Sequence, residues 1–319
     1  MDVPRESTEP LDDEYRDTVE YCGRAFSKYS LEAGTYFAPV DEEEIERLEL
    51  MHNVLSKVFD NRLIFPPMAT PRSILDCGCG AANWAVEVAE QHPDCEVLGI
   101  DVSPHMLPDH PPRNLDFQID DLNSRFTFPG NSFDLVHSQM VAGGIHASRW
   151  PSYVRDIYRV TKPGGWCQIV EMYLNAQSDN GRLTYGTYQA CMIPGNGELL
   201  MCRGYTDHAL SKWSSRYLNT LSPRKNPRAA LSMAGWMENA GFVDIESKLI
   251  TLPMSAWSTE SRDQRIGRAN RENIKELLAT AALYPLTEQT KMPMEEFEQL
   301  ISRARDEAGD PSLKAYFPL

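Results

Sequence analysis

The sequence lacks a long hydrophobic run and a basic stretch. Its apolar segments are all shorter than the about eighteen residues that a membrane-spanning helix needs, and its first 30 residues are too acidic for a signal or transit peptide. Asp and Glu number 46 against 31 Lys and Arg, so the formal net charge is −15 at pH 7. Because nucleic-acid binding requires a basic face, this charge disfavours DNA or RNA as a partner. We therefore expect a cytoplasmic protein, with the nucleus as the alternative, that binds neither nucleic acid nor membrane.

The sequence also lacks a cysteine pattern typical of disulfides or of a metal site. Its seven cysteines are an odd number and are spread along the chain, which favours reduced thiols. Cys77 and Cys79 have no second pair with which to complete a zinc site. We interpret both as small residues that fill a turn, and we predict no metal.

The segment 73–101, in contrast, has the pattern of a β-turn-α-β unit that binds a nucleoside. An apolar run leads into a turn with Gly78 and Gly80, an amphipathic stretch follows, and a second apolar run ends in Asp101. The glycines lack the Cβ atoms that would block close approach of the backbone to a ligand. Asp101 lies about twenty residues past them, where a carboxylate can accept hydrogen bonds from both hydroxyls of a ribose.

The details of the turn disfavour a dinucleotide as the ligand. The third glycine of the dinucleotide pattern is replaced by Ala82, and the turn follows Asp76, an acid that sits poorly beside a pyrophosphate. The stretch 75–80 together with Asp101 resembles the first two motifs of the class I methyltransferases that use S-adenosylmethionine. This resemblance implies a Rossmann-like α/β sheet and S-adenosylmethionine as the cofactor. In that family the turn surrounds the methionine end of the cofactor, and the preceding acid orders the loop and the ammonium group.

The resemblance extends over roughly residues 20–319. Three segments are similar in spacing to later strands of the family, at 117–122, 132–138 and 160–166. Three others narrow the resemblance to a fungal branch, at 41–52, 128–134 and 238–244. That branch contains the velvet-complex regulator of secondary metabolism and many enzymes of natural-product pathways. It does not determine a substrate.

The resemblance implies a set of residues at the cofactor. We expect Asp101 to bind the ribose and Asp120 to accept a hydrogen bond from the adenine amino group. In this family an N-terminal aromatic segment, here around Tyr36, closes over the cofactor, where a sulfonium gains cation–π attraction. Trp84 matches a tryptophan that packs beside it. The predicted cofactor-binding set is Asp76, Gly78, Gly80, Asp101, Val102, Asp120, Asp121, Ser138, Tyr36 and Trp84.

A hydroxyl group that accepts a methyl group must lose its proton, and a general base can remove it. An acceptor that is already ionised needs no general base. We predict His146 and Glu171 as the catalytic residues. His146 follows the fourth strand, where loops line the ligand crevice of open α/β sheets, and Glu171 ends the fifth. For each residue a structural role is the alternative to catalysis. His146 would then be a surface histidine in a loop, and Glu171 would form hydrogen bonds with nearby backbone groups. His137, within the fourth strand, is a further candidate base, but a histidine that alternates in an apolar strand is more often a core residue, and we favour that interpretation.

The rest of the chain is predicted to be largely helical around this core. Asp41 and Glu44 form a capping box before apolar residues at helical spacing, which predicts a helix over 41–59. We predict a strand over 242–251. The predicted organisation is a disordered start (1–15), an N-terminal helical cap over the cofactor (16–72), the Rossmann-like core (73–175), a helical lid and substrate region with an insertion at 185–205 (176–240), and last strands and helices of the same domain (241–319).

Our main functional hypothesis is an S-adenosylmethionine-dependent methyltransferase that methylates an oxygen of a small hydrophobic fungal metabolite. Two alternatives stay open. One is a velvet-type regulatory protein that works through a partner, and the other is an enzyme that uses the same cofactor for cyclisation without methyl transfer. The insertion at 185–205 is predicted to be a lid over the substrate or else an edge or dimer contact. The acceptor atom and the oligomeric state are not predicted.

Overall fold

The computed structural model describes residues 11–183, 188–192, 199–203, 207–222 and 224–319, with backbone alone for 188–192 and 199–203. Most of the predicted insertion, and all of its side chains, therefore lie outside the described residues. The chain divides into two units. One comprises Met1–Met172 with Leu221–Lys248, and the other comprises Tyr173–Thr220 with Leu249–Leu319.

The described part of the chain alternates strands and helices. The strands are β1 (Thr18–Tyr21), β2 (Arg24–Ser27), β3 (Ser73–Cys77), β4 (Glu96–Asp101), β5 (Leu115–Ile119), β6 (Phe133–Gln139), β7 (Thr161–Val170), β8 (Gln177–Ser178), β9 (Tyr188–Met192), β10 (Leu199–Arg203), β11 (Thr251–Pro253) and β12 (Ala315–Pro318). The α-helices are α1 (Lys28–Ala33), α2 (Glu42–Val58), α3 (Asn83–Gln91), α4 (Trp150–Val160), α5 (Ala209–Leu221), α6 (Ala229–Ala240), α7 (Ser261–Ala282) and α8 (Met294–Gly309). A 3-10 helix spans Asp13–Arg16, and a π-helix spans Leu283–Gln289.

The first unit is built on a five-stranded parallel sheet in the order β5-β4-β3-β6-β7. The chain leaves β3 towards β4 and β5 on one side and returns to β6 and β7 on the other. This reversal creates a crevice at the carboxyl ends of β3, β4 and β6, where open α/β sheets bind ligands. The predicted Rossmann-like fold class is confirmed.

Both faces of this sheet are buried, because successive side chains of a strand point to opposite sides. Ile74 and Leu135 pack on one face with apolar residues of α3. Leu75 and Val136 pack on the other face with apolar residues of α4. The parity of a residue in β3 or β6 therefore determines which helix it meets.

Helix α2 begins where the capping pattern predicts. Asp41 is its N-cap, and the Asp41 Oδ1 atom accepts a hydrogen bond from the Glu44 backbone N–H at 3.1 Å. The reciprocal half of the capping box is not needed, since the buried Glu44 carboxylate instead accepts two hydrogen bonds of 2.7 Å from Arg47. The helix is thus fixed at its start by a cap and one turn later by a buried ion pair.

The structure differs from the sequence-based expectation at two places. The strand predicted over 242–251 is wrong for most of its length, because regular pairing covers only Thr251–Pro253. Val243 and Leu249 are 78% and 80% exposed, so these two apolar side chains face no core. Asp13–Arg16 form a 3-10 helix within the stretch for which disorder is predicted.

The second unit contains an antiparallel sheet in the order β11-β12-β8, an antiparallel pair of β9 and β10, and helices α7 and α8. Its core includes Trp213, whose indole N–H donates to the Leu278 carbonyl oxygen at 2.8 Å. Over the described residues of both units, no helix combines the length and the apolar character that crossing a membrane requires.

Candidate active site

A cleft lies at the carboxyl ends of β3, β4 and β6, within the first unit. Its floor is the turn between β3 and α3. One wall consists of Thr35, Tyr36 and residues of α2, and the opposite wall consists of the loops that follow β4, β5 and β6. Eight of the ten residues predicted to bind the cofactor line it: Tyr36, Asp76, Gly78, Gly80, Trp84, Asp101, Val102 and Asp121.

The turn depends on its glycines for two separate reasons. Gly78 and Gly80 have φ angles of +71° and +55°, in the left-handed region that favours glycine. A Cβ on Gly78 would also lie 2.6 Å from the Val141 Cγ1 atom, so the turn fits against the loop after β6 only without a side chain. Ala82 takes the position of the absent third glycine and also has a positive φ, of 59°.

Asp101 is fixed at the end of β4 by backbone amides. Its Oδ2 atom accepts from the Gly80 N–H and its Oδ1 atom from the Ser103 N–H, both at 2.9 Å. Burial raises the pKa of Asp101, and these amide hydrogen bonds oppose that shift. The Val102 N–H also contributes to this opposing effect. Because a carboxylate offers about four acceptor sites, Asp101 keeps acceptor capacity for a ligand hydroxyl.

The two acids after β5 occupy different environments. Asp121 lines the cleft, and its Oδ1 atom accepts from the backbone and side chain of Asn123 at 2.9 and 2.8 Å. Asp120 is not among the lining residues, but its buried Oδ2 atom has no hydrogen-bond partner within the part of the chain that the structure describes. Burial raises the pKa of Asp120 to about 6.

Two histidines line the cleft, each held by a carboxylate. The Nδ1 atom of His137, in β6, lies 2.8 Å from Asp76 Oδ1. The Nε2 atom of His52, in α2, lies 2.7 Å from Glu87 Oε2. Sequence reasoning missed His52 and favoured a core position for His137. The pairing of His137 with Asp76 depends on the register of β3 and β6, which the sequence does not reveal.

The structure does not bring Ser138 into the cleft. Ser138 has the opposite parity to His137 in β6, so its hydroxyl points to the α4 side, where it lies 2.8 Å from the Tyr153 hydroxyl. This buried pair belongs to the core between the sheet and α4. The geometry therefore does not fit the predicted contact of the Ser138 side chain with the cofactor.

The two predicted catalytic residues also lie outside the cleft lining. The Glu171 carboxylate accepts from the backbone N–H groups of Val141 and Ala142 at 2.9 and 3.2 Å, so both oxygens hold the loop after β6. His146 uses its Nε2 atom to donate to the Gly34 carbonyl oxygen at 3.2 Å. Both residues follow strands of the parallel sheet, as the sequence predicts, and their side chains bond backbone groups outside the cleft lining.

Lys225 connects the two walls of the cleft through hydrogen bonds. It is 1% exposed, and its Nζ atom donates to the carbonyl oxygens of Thr35 and Gly144, both of which line the cleft, at 2.9 and 2.8 Å. Burial lowers the pKa of Lys225 to about 7, although the charge of Asp121 opposes that shift.

Comparisons with known proteins agree with this geometry. A family model described as a methyltransferase domain matches residues 74–165. The secondary metabolism regulator laeA of Aspergillus fumigatus is 30% identical over 298 residues, which cover 92% of this chain and 73% of that protein. The chain belongs to the laeA family of methyltransferases.

Two further relatives bear different descriptions. A laeA protein of Emericella nidulans, described as a protein-methionine methyltransferase, is 28% identical over 93% of this chain and 73% of its own length. The methyltransferase pytC of Aspergillus terreus is 29% identical over 92% of this chain and 84% of its own length. Among solved structures, phosphoethanolamine N-methyltransferase 2 of Haemonchus contortus with S-adenosyl-L-methionine matches 84% of this chain and 51% of its own, with 18% identity and a TM-score of 0.44.

As a member of the laeA family, the chain is an S-adenosylmethionine-dependent methyltransferase of fungal secondary metabolism. The cleft fits this cofactor chemically. The turn at Gly78 leaves room only for backbone, Asp101 retains acceptor capacity, and Asp120 after β5 has a buried oxygen without a hydrogen-bond partner among the described residues. No cluster of metal-ligating side chains occurs among the described residues.

Proposed function

We propose that this methyltransferase methylates a hydroxyl oxygen of a small, hydrophobic secondary metabolite. When bound, S-adenosylmethionine supplies a methyl group that its sulfonium charge has already activated. The protein must then orient the acceptor, exclude water and accept the hydroxyl proton. The observation that carries the proposal is His52, which lines the cleft beside Leu48 and Met51 and is paired with Glu87 at 2.7 Å.

The sheet topology supports a direction for the cofactor. Asp120 and Asp121 follow β5, Asp101 ends β4, and the glycine turn follows β3, in that spatial order. We therefore assign the adenine to the acids after β5 and the ribose hydroxyls to Asp101. The methionine end then lies at the β3–β6 side, beside Asp76. Tyr36 and Trp84 would flank the cofactor, and the backbone at Gly78, Gly80 and Val102 would approach it closely.

The apolar wall supports a hydrophobic acceptor. Leu48 and Met51 of α2, Met106 after β4 and Val141 after β6 all line the cleft. Such a wall excludes water from the reacting atoms and strengthens the electrostatics between them. Methionine side chains also adapt to irregular ligand shapes.

The His52–Glu87 pair supports a protic acceptor. A carboxylate at 2.7 Å from Nε2 fixes a proton on that nitrogen, so in the neutral ring the lone pair is on Nδ1. No hydrogen bond engages His52 Nδ1 within the described residues. A hydroxyl must lose a proton on methylation and would use this lone pair, whereas a thioether has no proton to lose.

Mass spectrometry of reactions with hydroxylated aromatic and aliphatic metabolites tests the proposal. We expect products that gain one methylene. The variant His52→Gln should reduce turnover by roughly 10²- to 10⁴-fold while S-adenosylhomocysteine still binds. His110→Gln, at an exposed histidine outside the cleft lining, is the matched control. A product of unchanged mass would favour cyclisation and contradict the proposal.

A protein methionine is the second candidate acceptor, because the 28% identical relative is described as a protein-methionine methyltransferase. Methyl-labelled cofactor distinguishes the two. Label in the protein fraction that survives in His52→Gln would favour the thioether acceptor, since its methylation needs no base. Label in the small-molecule fraction that disappears in His52→Gln would favour the hydroxyl.

A further inference from the structure

His137 is buried, yet its hydrogen bonding is only half complete. The residue is 0% exposed and pairs in register with Asp76 of the adjacent strand. Its ring stacks on Trp84 with 3.6 Å between ring centroids and 12° between planes. Nδ1 lies 2.8 Å from Asp76 Oδ1, but the buried Nε2 atom has no hydrogen-bond partner in the part of the chain that the structure describes.

The acceptor fixes the form of the imidazole. Because the Asp76 carboxylate can only accept, Nδ1 carries a proton and donates it, so in the neutral ring the lone pair is on Nε2. A buried polar atom without a partner is costly, and an apolar ring of similar shape would pack against Trp84 without that cost. The histidine at this position therefore needs an explanation other than packing.

Asp76 is held on one oxygen only. Oδ1 accepts from His137, and no hydrogen bond engages Oδ2 within the described residues. Asp76 and His137 both line the cleft, on the α3 side of the sheet. One oxygen of the carboxylate is thus committed to the protein, and the other is available to a ligand.

The ligand group that faces this oxygen follows from the direction of the cofactor proposed above. The β3–β6 side receives the methionine end, whose cationic hydrogen-bond donor is its α-ammonium. We propose that His137 is a positioning residue for this end of the cofactor. Its Nδ1–H holds the Asp76 carboxylate so that Oδ2 faces the ammonium.

A neutral donor suits this task better than a cationic one. Arg or Lys beside Asp76 would neutralise the carboxylate and weaken its attraction for the ammonium. The His137 imidazole orients the carboxylate and leaves its full negative charge for the ligand. Trp84 in turn fixes the plane of the imidazole by stacking.

Calorimetry with two ligands tests the proposal without any turnover. S-adenosylhomocysteine has the amino-acid end, and 5′-methylthioadenosine lacks it. We expect His137→Phe, which keeps an aromatic ring but no donor, to weaken S-adenosylhomocysteine binding by about tenfold or more, as loss of an orienting hydrogen bond does. Binding of 5′-methylthioadenosine should not change.

His137→Asn is the complementary variant, since its amide N–H can replace Nδ1–H while the ring is lost. Retained S-adenosylhomocysteine affinity in His137→Asn together with its loss in His137→Phe supports the proposal. The reverse result would mean that only ring packing matters and would overturn it. Thermal unfolding of both variants reports whether they are folded.

Asp76→Asn separates this proposal from the placement of the cofactor on which it rests. If Asp76→Asn weakens both ligands equally, the methionine end does not lie at Asp76 and the proposed direction is wrong. If it weakens S-adenosylhomocysteine alone while His137→Phe weakens neither, the direction holds and the role of His137 is wrong.

Discussion

Lys225 Nζ lies 2.9 Å from the carbonyl oxygen of Thr35, although the two residues are 190 positions apart in the sequence. The same ammonium reaches Gly144, so one side chain joins three distant segments of the first unit. Since Thr35 and Gly144 both line the cleft, the shape of the cofactor site depends on a residue that does not line it.

Lys225 should make stability depend on pH. Burial lowers its pKa from 10.5 to about 7, so between these values the unfolded chain binds a proton that the folded chain does not. Its contribution to the free energy of unfolding must therefore increase as pH rises through this range. Urea unfolding at several pH values should show this slope in the wild type and not in Lys225→Met.

Lys57→Met is the matched control for this prediction, because Lys57 is an exposed lysine on α2. At neutral pH, Lys225→Met should also be less stable by about 1–3 kcal/mol, since two buried carbonyl groups lose their donor. An identical pH slope in Lys225→Met and in the wild type would contradict the assignment.

Asp101→Ala should weaken S-adenosylhomocysteine binding by roughly 2–4 kcal/mol, because it removes the charged acceptor for both ribose hydroxyls. The variant should stay folded, with local loosening of Gly80 and Ser103, whose amides lose their acceptor. Calorimetry measures the effect, and Asp94→Ala at an exposed site is the control. Equal affinity in Asp101→Ala and in the wild type would show that the ribose lies elsewhere.

Glu171→Gln should distinguish a base from a residue that holds a loop. A carboxamide keeps one acceptor but points an N–H donor at a backbone N–H, so we expect a loss of about 1–3 kcal/mol in stability. Turnover should fall far less than the 10²- to 10⁴-fold expected on removal of a general base. A full catalytic loss with unchanged stability would restore the role that the sequence suggested for Glu171.

Gly78→Ala should abolish cofactor binding or folding of the turn, for steric reasons as well as backbone strain. Gly164→Ala is an informative control, because Gly164 also has a positive φ, of +76°, but an added Cβ there meets no atom within 4 Å. The difference between the two variants in thermal unfolding isolates the clash with Val141. Equal destabilisation would mean that backbone strain alone accounts for both.

The sheet and the start of α2 could be predicted because their determinants are local. Continuous apolar runs mark buried parallel strands, and Asp41 marks a helix start whichever surface the helix covers. S-adenosylmethionine was also predicted correctly, since the glycine turn and Asp101 belong to one contiguous unit.

The inner surface of the cleft could not be predicted in the same way. His52 reaches it because α2 packs on this side of the sheet, which is a property of tertiary structure. The choice between His137 and Ser138 depends on strand parity, and a single residue of offset exchanges the cleft for the α4 core. Glu171 follows β7, but its carboxylate bonds the backbone of the loop after β6, and a sequence motif does not specify that direction.

Ala82 has a consequence for how such turns are recognised. A non-glycine residue in the left-handed region costs roughly 1–2 kcal/mol, whereas the conformational entropy that glycine adds to the unfolded chain opposes folding by about 0.4–1 kcal/mol. About half of the strain of Ala82, whose φ is 59°, is therefore offset by the smaller entropy of its unfolded chain. A sequence motif that requires glycine at every position of the turn would miss chains such as this one. A structural motif defined by the φ angles of the turn would find them.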